Sequence, residues 1–261
     1  MAKKTALITG ASSGIGYELA KIFAREGYDL VLVARSQAQL QLVAAELQKS
    51  HGTISNVIVK DLSDPKASDE LFSETEQKAI TIEVLVNSAG FANYGYLTET
   101  DKVKELELLE LNIVALTLLT KLFLPGMKAR GGGYILNLGS TASFFAGPLM
   151  ATYYASKNYV LSFSAAINVE MEGTGVSVTA LCPGPTVSGF QKRAAIADSK
   201  MLRGKMMDAK VVAEIGYMAL MRRKAVVVPG LSNQIITLLT RFVPRSIATK
   251  LVLTNQQRIE S

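Results

Sequence analysis

The feature that most constrains this chain is a regular alternation of short apolar runs with longer stretches of helical period. Strand-like runs fall near 6–9, 30–34, 56–60, 84–87, 134–138, 176–181 and 225–229. Helix-compatible stretches fill the gaps near 14–26, 37–49, 66–78, 103–127, 152–172 and 209–220. A strand can only lie parallel to its predecessor after a crossover, and a helix is the usual crossover. The pattern predicts one α/β unit over residues 1–261: a doubly wound parallel sheet of about seven strands with helices on both faces. Nothing in the chain reads as a linker, a repeat or a low-complexity stretch. Hydrophobic residues make up 49 % of the 261, enough for a sizeable core. In such sheets a ligand sits beyond the carboxyl ends of the strands, where the strand order reverses.

The first strand carries the strongest local signal. Thr5-Ala6-Leu7-Ile8-Thr9 runs straight into Gly10-Ala11-Ser12-Ser13-Gly14-Ile15-Gly16, and a helical stretch follows with Ile15, Leu19, Ile22 and Phe23 on one face. Strand, glycine loop and helix in that order turn backbone N–H groups and a helix N-terminus toward an anionic phosphate. Glycines allow the tight turn and a close approach to the ligand. Ser12 and Ser13 add hydroxyl donors. The spacing is G-x-x-x-G-x-G rather than the commoner G-x-G-x-x-G. The second strand ends Ala34-Arg35-Ser36, with no carboxylate. An acidic residue there would bind a ribose 2′-hydroxyl, whereas an arginine pairs bidentately with a 2′-phosphate and stacks on adenine. The expected cofactor is therefore NADP(H), held by Arg35, rather than NAD.

Chemistry is signalled further along. Tyr153 and Lys157 stand four residues apart, on the same face of a helix. An ammonium beside a phenol favours the phenolate, lowering its pKa from about 10 toward neutrality. A tyrosine tuned in this way passes a proton to or from a carbonyl or alcohol oxygen. Ser140, on a separate segment, is suited to hold that same oxygen. Tyr154 points about 100° round the helix from Tyr153 and is expected to pack or to contact substrate.

Together these motifs resemble the classical short-chain dehydrogenase/reductase family over nearly the whole chain. The run Thr9 to Gly16 looks like the family's cofactor loop, which implies that Gly10, Ser12, Ser13, Gly14, Ile15 and Gly16 hold the pyrophosphate. Asp61-Leu62 is similar to the pair that meets the adenine. Asn87-Ser88-Ala89-Gly90 resembles the family's Asn-Asn-Ala-Gly, with serine in second place, and implicates Asn87, Ala89 and Gly90 in cofactor binding. Asn112 falls where the family carries a catalytic-site asparagine, implied to hold a water that links Lys157 to solvent. Ser140, Tyr153 and Lys157 match the catalytic set, with Tyr153 and Lys157 also on the cofactor. Pro183-Gly184 and Thr186 resemble the turn and threonine that flank the nicotinamide carboxamide.

The resemblance implies a Rossmann-type fold and reversible reduction of a carbonyl compound by hydride transfer, with Tyr153 as general acid/base. It also implies a homodimer or homotetramer paired through the helices near 103–127 and 152–172. The Val33-Ala34-Arg35 ending and the basic, apolar tail look closest to reductases related to 3-oxoacyl and hydroxysteroid reductases. Two other readings stay open: a nucleotide-binding scaffold or sensor without chemistry, and NAD-dependent alcohol oxidation.

Phe91, Tyr94, Tyr96, Phe144, Phe145, Leu149 and Met150, with Phe190, Met201, Leu202, Met206 and Met207 further on, make the expected substrate pocket apolar, so the substrate is expected to be a small hydrophobic carbonyl or alcohol. Residues 185–207 lack a clear period and are expected to form a lid over it. The tail over 231–261 mixes apolar and basic residues, interrupted by Pro244. It is expected to cover the pocket or a subunit interface in preference to a membrane surface. The net charge of +6 suits an anionic cofactor, and no arginine-rich run with interleaved aromatics points to nucleic acid. His51 is the only histidine and Cys182 the only cysteine, which excludes an intrachain disulfide and argues against any metal site. Cys182 is expected to be a buried small hydrophobe. Met1-Ala2-Lys3-Lys4 leads directly into the first strand and leaves no room for a signal peptide, so the expected location is the cytoplasm.

Overall fold

The structure, a computed structural model, describes residues 3–189, 194 and 206–257. The order is β1 (Thr5–Thr9), α1 (Gly14–Arg25), β2 (Asp29–Ala34), α2 (Gln37–His51), β3 (Ser55–Val59), α3 (Ala67–Gln77) and β4 (Val84–Asn87). Next come α4 (Lys102–Leu109), a π-helical turn (Glu110–Ala115), α5 (Leu116–Ala129), β5 (Gly133–Leu138), a 3₁₀ turn (Thr141–Phe144), α6 (Ala151–Glu170) and β6 (Val176–Leu181). The remainder is β7 (Thr186–Val187), β8 (Met207–Asp208), α7 (Ala209–Met221), β9 (Val226–Val227), α8 (Leu231–Leu239) and α9 (Arg245–Gln256).

Seven strands form one parallel sheet in the order β3-β2-β1-β4-β5-β6-β9. The chain winds outward from β1 in one direction and from β4 in the other, so the switch point lies between them. The period of two along each strand divides the core into two layers. Ala6 and Ile8 of β1 face α1 and α7, in a cluster with Leu19, Phe23, Val212 and Leu220. Leu7, between them, faces the other side with Leu71, Leu119, Phe123 and Met127. Because both faces are covered, the strands read as unbroken apolar runs rather than alternating ones. Each fully buried Leu, Ile or Phe contributes roughly 1.5–3 kcal/mol.

Strand positions agree with expectation, β9 being only a two-residue pairing. Three features differ. The helix expected over 103–127 runs from Lys102 to Ala129 but contains the π turn around Asn112. Thr186–Val187 pairs in parallel with Met207–Asp208, so the two ends of the expected lid are joined. Residues 190–193 and 195–205 of that lid lie outside the described ones. The tail folds as two helices, with Pro244 as the N-cap of the second, a position where its missing N–H costs nothing.

Candidate active site

The carboxyl ends of β1 to β6 open onto one cavity of about 370 Å³. Every expected cofactor or catalytic residue except Asn87 and Asn112 lies on its wall.

At the switch point, Gly10 to Gly16 curl from the end of β1 into α1, pinned by Ala11 N–H donating to the Val33 carbonyl at 3.3 Å. A Cβ on Gly16 would run into the Gly10 carbonyl and stand 3.1 Å from Ser88 Oγ, so no larger residue fits while the loop keeps its path. The first turn of α1 carries no acidic residue to oppose an anion. Thr9, the first residue of the loop motif and one with no role expected from sequence, organises the neighbouring wall. Its hydroxyl accepts from the N–H groups of Ser88 and Ala89, each at 3.0 Å, and donates to the Val86 carbonyl at 3.3 Å.

The register of β2 against β3 brings Asp61 beside Arg35, and Arg35 Nη1 stands 3.6 Å from Asp61 Oδ2. The absence of a carboxylate at the end of β2 therefore does not leave Arg35 alone: the acid comes from the end of β3. Partial burial raises the Asp61 pKa, but donation from the Ser63 hydroxyl (2.7 Å) and amide (3.1 Å), with the Arg35 charge, outweighs it and holds the carboxyl below its ordinary value. Arg35 remains 70 % exposed, leaving its outer donors open to a further anion.

At the opposite end Ser140 closes β5 and caps the 3₁₀ turn. Its Oγ accepts from Ala142 N–H at 3.1 Å, and its own N–H donates to Ser143 Oγ at 3.2 Å. Thr141 N–H donates to the Pro183 carbonyl at 2.8 Å, which ties this turn to the Pro183-Gly184 turn after β6. Asn158 on α6 donates to the carbonyls of Ala142, Phe145 and Tyr154, which holds the turn against the helix. The outcome is that the hydroxyls of Tyr153 and Ser140, residues thirteen apart on different elements, meet on the same stretch of cavity wall, close enough to interact.

The electrostatics of Tyr153 differ from expectation. Burial pushes the phenol well above its ordinary value, and the nearby Ser140 hydroxyl only partly offsets this. Lys157 lies on the same helix face, its Nζ 5.8 Å from the centre of the Tyr153 ring. That ammonium, however, donates to the Leu138 carbonyl at 2.7 Å rather than to the phenol. Burial lowers Lys157 to about 8, with the Cys182 thiol pulling weakly the other way. Spacing put the two side chains on one face; desolvation of both, which spacing does not register, reverses the expected shift. As built, Tyr153 keeps its proton at neutral pH.

Asn112 and Asn87 serve the wall from behind it. Both amide ends of Asn112 bond to the Phe91 backbone, Oδ1 accepting at 3.2 Å and Nδ2 donating at 3.0 Å, and Nδ2 also donates to Ser156 Oγ at 3.1 Å. A Cβ on Gly90 would stand 2.9 Å from Asn112 Oδ1 and 3.6 Å from Lys157 Nζ, so these three groups are packed together. Asn87 does not face the cavity with its side chain. It donates to Asn137 Oδ1 (2.9 Å), its register partner on β5, and to Thr120 Oγ1 (3.3 Å). Asn137 in turn donates to Ser164 Oγ on α6 at 2.9 Å. This buried polar chain fixes the height of α6, and hence of Tyr153 and Lys157, against the sheet; isolated polar residues in apolar runs were its only sequence signal. Cys182 is fully buried and burial pushes its thiol to about 12, which fits a packing role.

The substrate end is apolar and closed partly by the tail. Phe91, Tyr94, Phe145 and Val252 of α9 pack around Ala92, Met150, Tyr153 and Tyr154. Tyr94 donates to the Gln256 carbonyl at 2.8 Å, and the Gln256 side chain is buried at the same end of the site. Tyr96, expected in this pocket, is instead 61 % exposed.

The elongated wall fits a dinucleotide on its own terms: a helix N-terminus and glycine cradle in the middle, a guanidinium at one end, a hydroxyl pair and a lysine at the other. The sequence profile of the short chain dehydrogenase family matches residues 4–198. Over 177 residues the chain is 35 % identical to a very-long-chain 3-oxoacyl-CoA reductase of Phaeosphaeria nodorum, a match covering 66 % of this chain and 52 % of that protein. The chain thus spans about half the length of that relative. Among solved structures, a short-chain dehydrogenase from Sphingobium yanoikuyae in complex with NADPH aligns with a TM-score of 0.83 at 30 % identity, over 99 % of this chain and 98 % of the other. A bulky-bulky ketone specific alcohol dehydrogenase from Comamonas testosteroni aligns with a TM-score of 0.78 at 28 % identity, over 94 % and 97 %.

Proposed function

The chain belongs to the short-chain dehydrogenase family of oxidoreductases acting on CH–OH and C=O groups, and from that premise we propose that it is a cytoplasmic NADP(H)-dependent reductase of a hydrophobic ketone. The observation that carries this reading is the neighbouring pair of hydroxyls, Ser140 and Tyr153, at the apolar end of a cavity whose other end presents Arg35. NADPH complexes of similar proteins favour the same cofactor.

In this reading Gly10 to Gly16 hold the pyrophosphate, Arg35 the 2′-phosphate, Asp61 and Leu62 the adenine edge, and Pro183, Gly184 and Thr186 the carboxamide. When bound, NADPH supplies the hydride. Ser140 and Tyr153 donate hydrogen bonds to the substrate oxygen, where negative charge develops in the transition state. Tyr153, which retains its proton, then donates it to that oxygen; a phenol held neutral by burial suits a general acid in the reductive direction. Lys157 offers its ammonium to the ribose and adds positive potential beneath the phenol. Asn112 positions Phe91 and Gly90 beside them. Phe91, Met150 and Tyr154 receive the apolar flanks of the ketone. Exposed Val103, Leu106 and Val169 on α4 and α6 support pairing of subunits through that face.

The test is a panel of apolar ketones monitored by NADPH absorbance, with wild type and Tyr153→Phe. Wild type should turn over at least one class. The variant should lose roughly 100- to 10,000-fold in kcat while binding NADPH within about twofold of wild type. NADPH binding with no turnover on any carbonyl would support a scaffold or sensor instead.

A further inference from the structure

We propose that the outer face of helices α8 and α9 docks onto an anionic lipid bilayer. The basis is an inversion of the usual burial pattern. In α8 the polar residues Asn233, Thr237 and Thr240 recur at i, i+4, i+7 and face the protein; Thr237 is the helix's one buried residue. Leu231, Ile235, Leu238, Leu239 and Phe242 recur at i, i+4, i+7, i+8, i+11 and face away, each 52 % exposed or more and Phe242 77 %. α9 likewise exposes Ile247 and Leu251, 52 % and 58 %, while its buried residue is Gln256. Ordinary surface helices turn the apolar stripe inward, and a contiguous apolar face of this kind marks a docking surface.

Charge selects the occupant. Arg241, Arg245 and Lys250 are exposed in the same segment, and the sequence has no Asp or Glu between Glu214 and Glu260. A second copy docked by two-fold symmetry would set these cations against one another with no acid in the segment to offset them. Anionic headgroups match apolar residues rimmed by arginine and lysine. With nine residues, α8 rises about 14 Å, less than half of a bilayer's hydrocarbon thickness, and Pro244 interrupts the segment, so the helices lie in the interface rather than span it.

The experiment is co-sedimentation of the full-length protein with vesicles of phosphatidylcholine alone and of phosphatidylcholine with phosphatidylglycerol. The protein should pellet with the anionic vesicles, and far less with the neutral ones or in high salt. Leu239→Ser/Phe242→Ser should lower partitioning at least tenfold with an unchanged melting temperature. Arg241→Gln/Arg245→Gln/Lys250→Gln should lower it by on the order of 100-fold, about fivefold per cation. Folded wild-type protein that stays in the supernatant overturns the proposal. So does sedimentation velocity in which Leu239→Ser/Phe242→Ser dissociates an oligomer, which would assign the face to a second copy.

Discussion

The two ends of the cavity are built in different ways. The dinucleotide end is made of local segments that each follow a strand: Gly10–Gly16 after β1, Arg35 after β2, Asp61 and Leu62 after β3, Ser88–Gly90 after β4. Its working parts are backbone groups and one guanidinium, so a short motif nearly specifies it. The substrate end is made of side chains from distant parts of the chain: Phe91 and Tyr94, Met150 and Tyr154, and Val252 and Gln256 near the end of the described chain. No motif encodes that meeting. The lesson is that the cofactor end is held by local sequence, whereas the apolar end rests on long-range packing.

The sharpest way to break this contrast is at Gly16. Gly16→Val forces a side chain against the Gly10 carbonyl and should weaken NADPH binding by on the order of 100-fold, measured by fluorescence titration, with far less effect on the melting temperature. A loss below tenfold would mean that the loop relaxes and the cradle is not essential.

Next in size is a pH effect. Lys157 is charged below its lowered value of about 8 and neutral above it. If its charge is needed, reductive kcat/KM should be level below pH 8 and fall about tenfold per unit above it. A level profile to pH 10 would remove Lys157's charge from the mechanism.

Arg35→Ala should weaken NADPH binding roughly 10- to 100-fold, the scale of charge-assisted hydrogen bonds, and leave NADH binding unchanged. Equal losses for both cofactors would count against recognition of the 2′-phosphate. The smallest effect is expected at the other end. Gln256→Ala should raise the ketone KM about fivefold by removing the buried side chain through which α9 packs at this end, with NADPH affinity intact. A change confined to NADPH affinity would mean that the tail acts on the wrong half of the cavity.

The sheet and the cofactor wall were legible in the sequence because each strand is a continuous apolar run buried on both faces and each motif sits at a strand end. Gly10, Gly16, Arg35, Ser140, Tyr153 and Lys157 all line the cavity as their spacing implies. The Asn87 side chain turns away from the cavity because strand register, which sequence spacing does not give, pairs it with Asn137 behind the wall. The expected acidification of Tyr153 failed because helix periodicity locates a lysine without registering that both groups lose water.

The amino-acid sequence alone determined the layering, the parallel crossovers and most of the groups that line the cavity, because these follow from periodicity and from residues adjacent in the chain. Only the tertiary structure decided which protonation states burial favours, which asparagines turn away from the cavity, and that α8 presents its apolar face outward. Those outcomes depend on desolvation and on contacts between segments far apart in sequence.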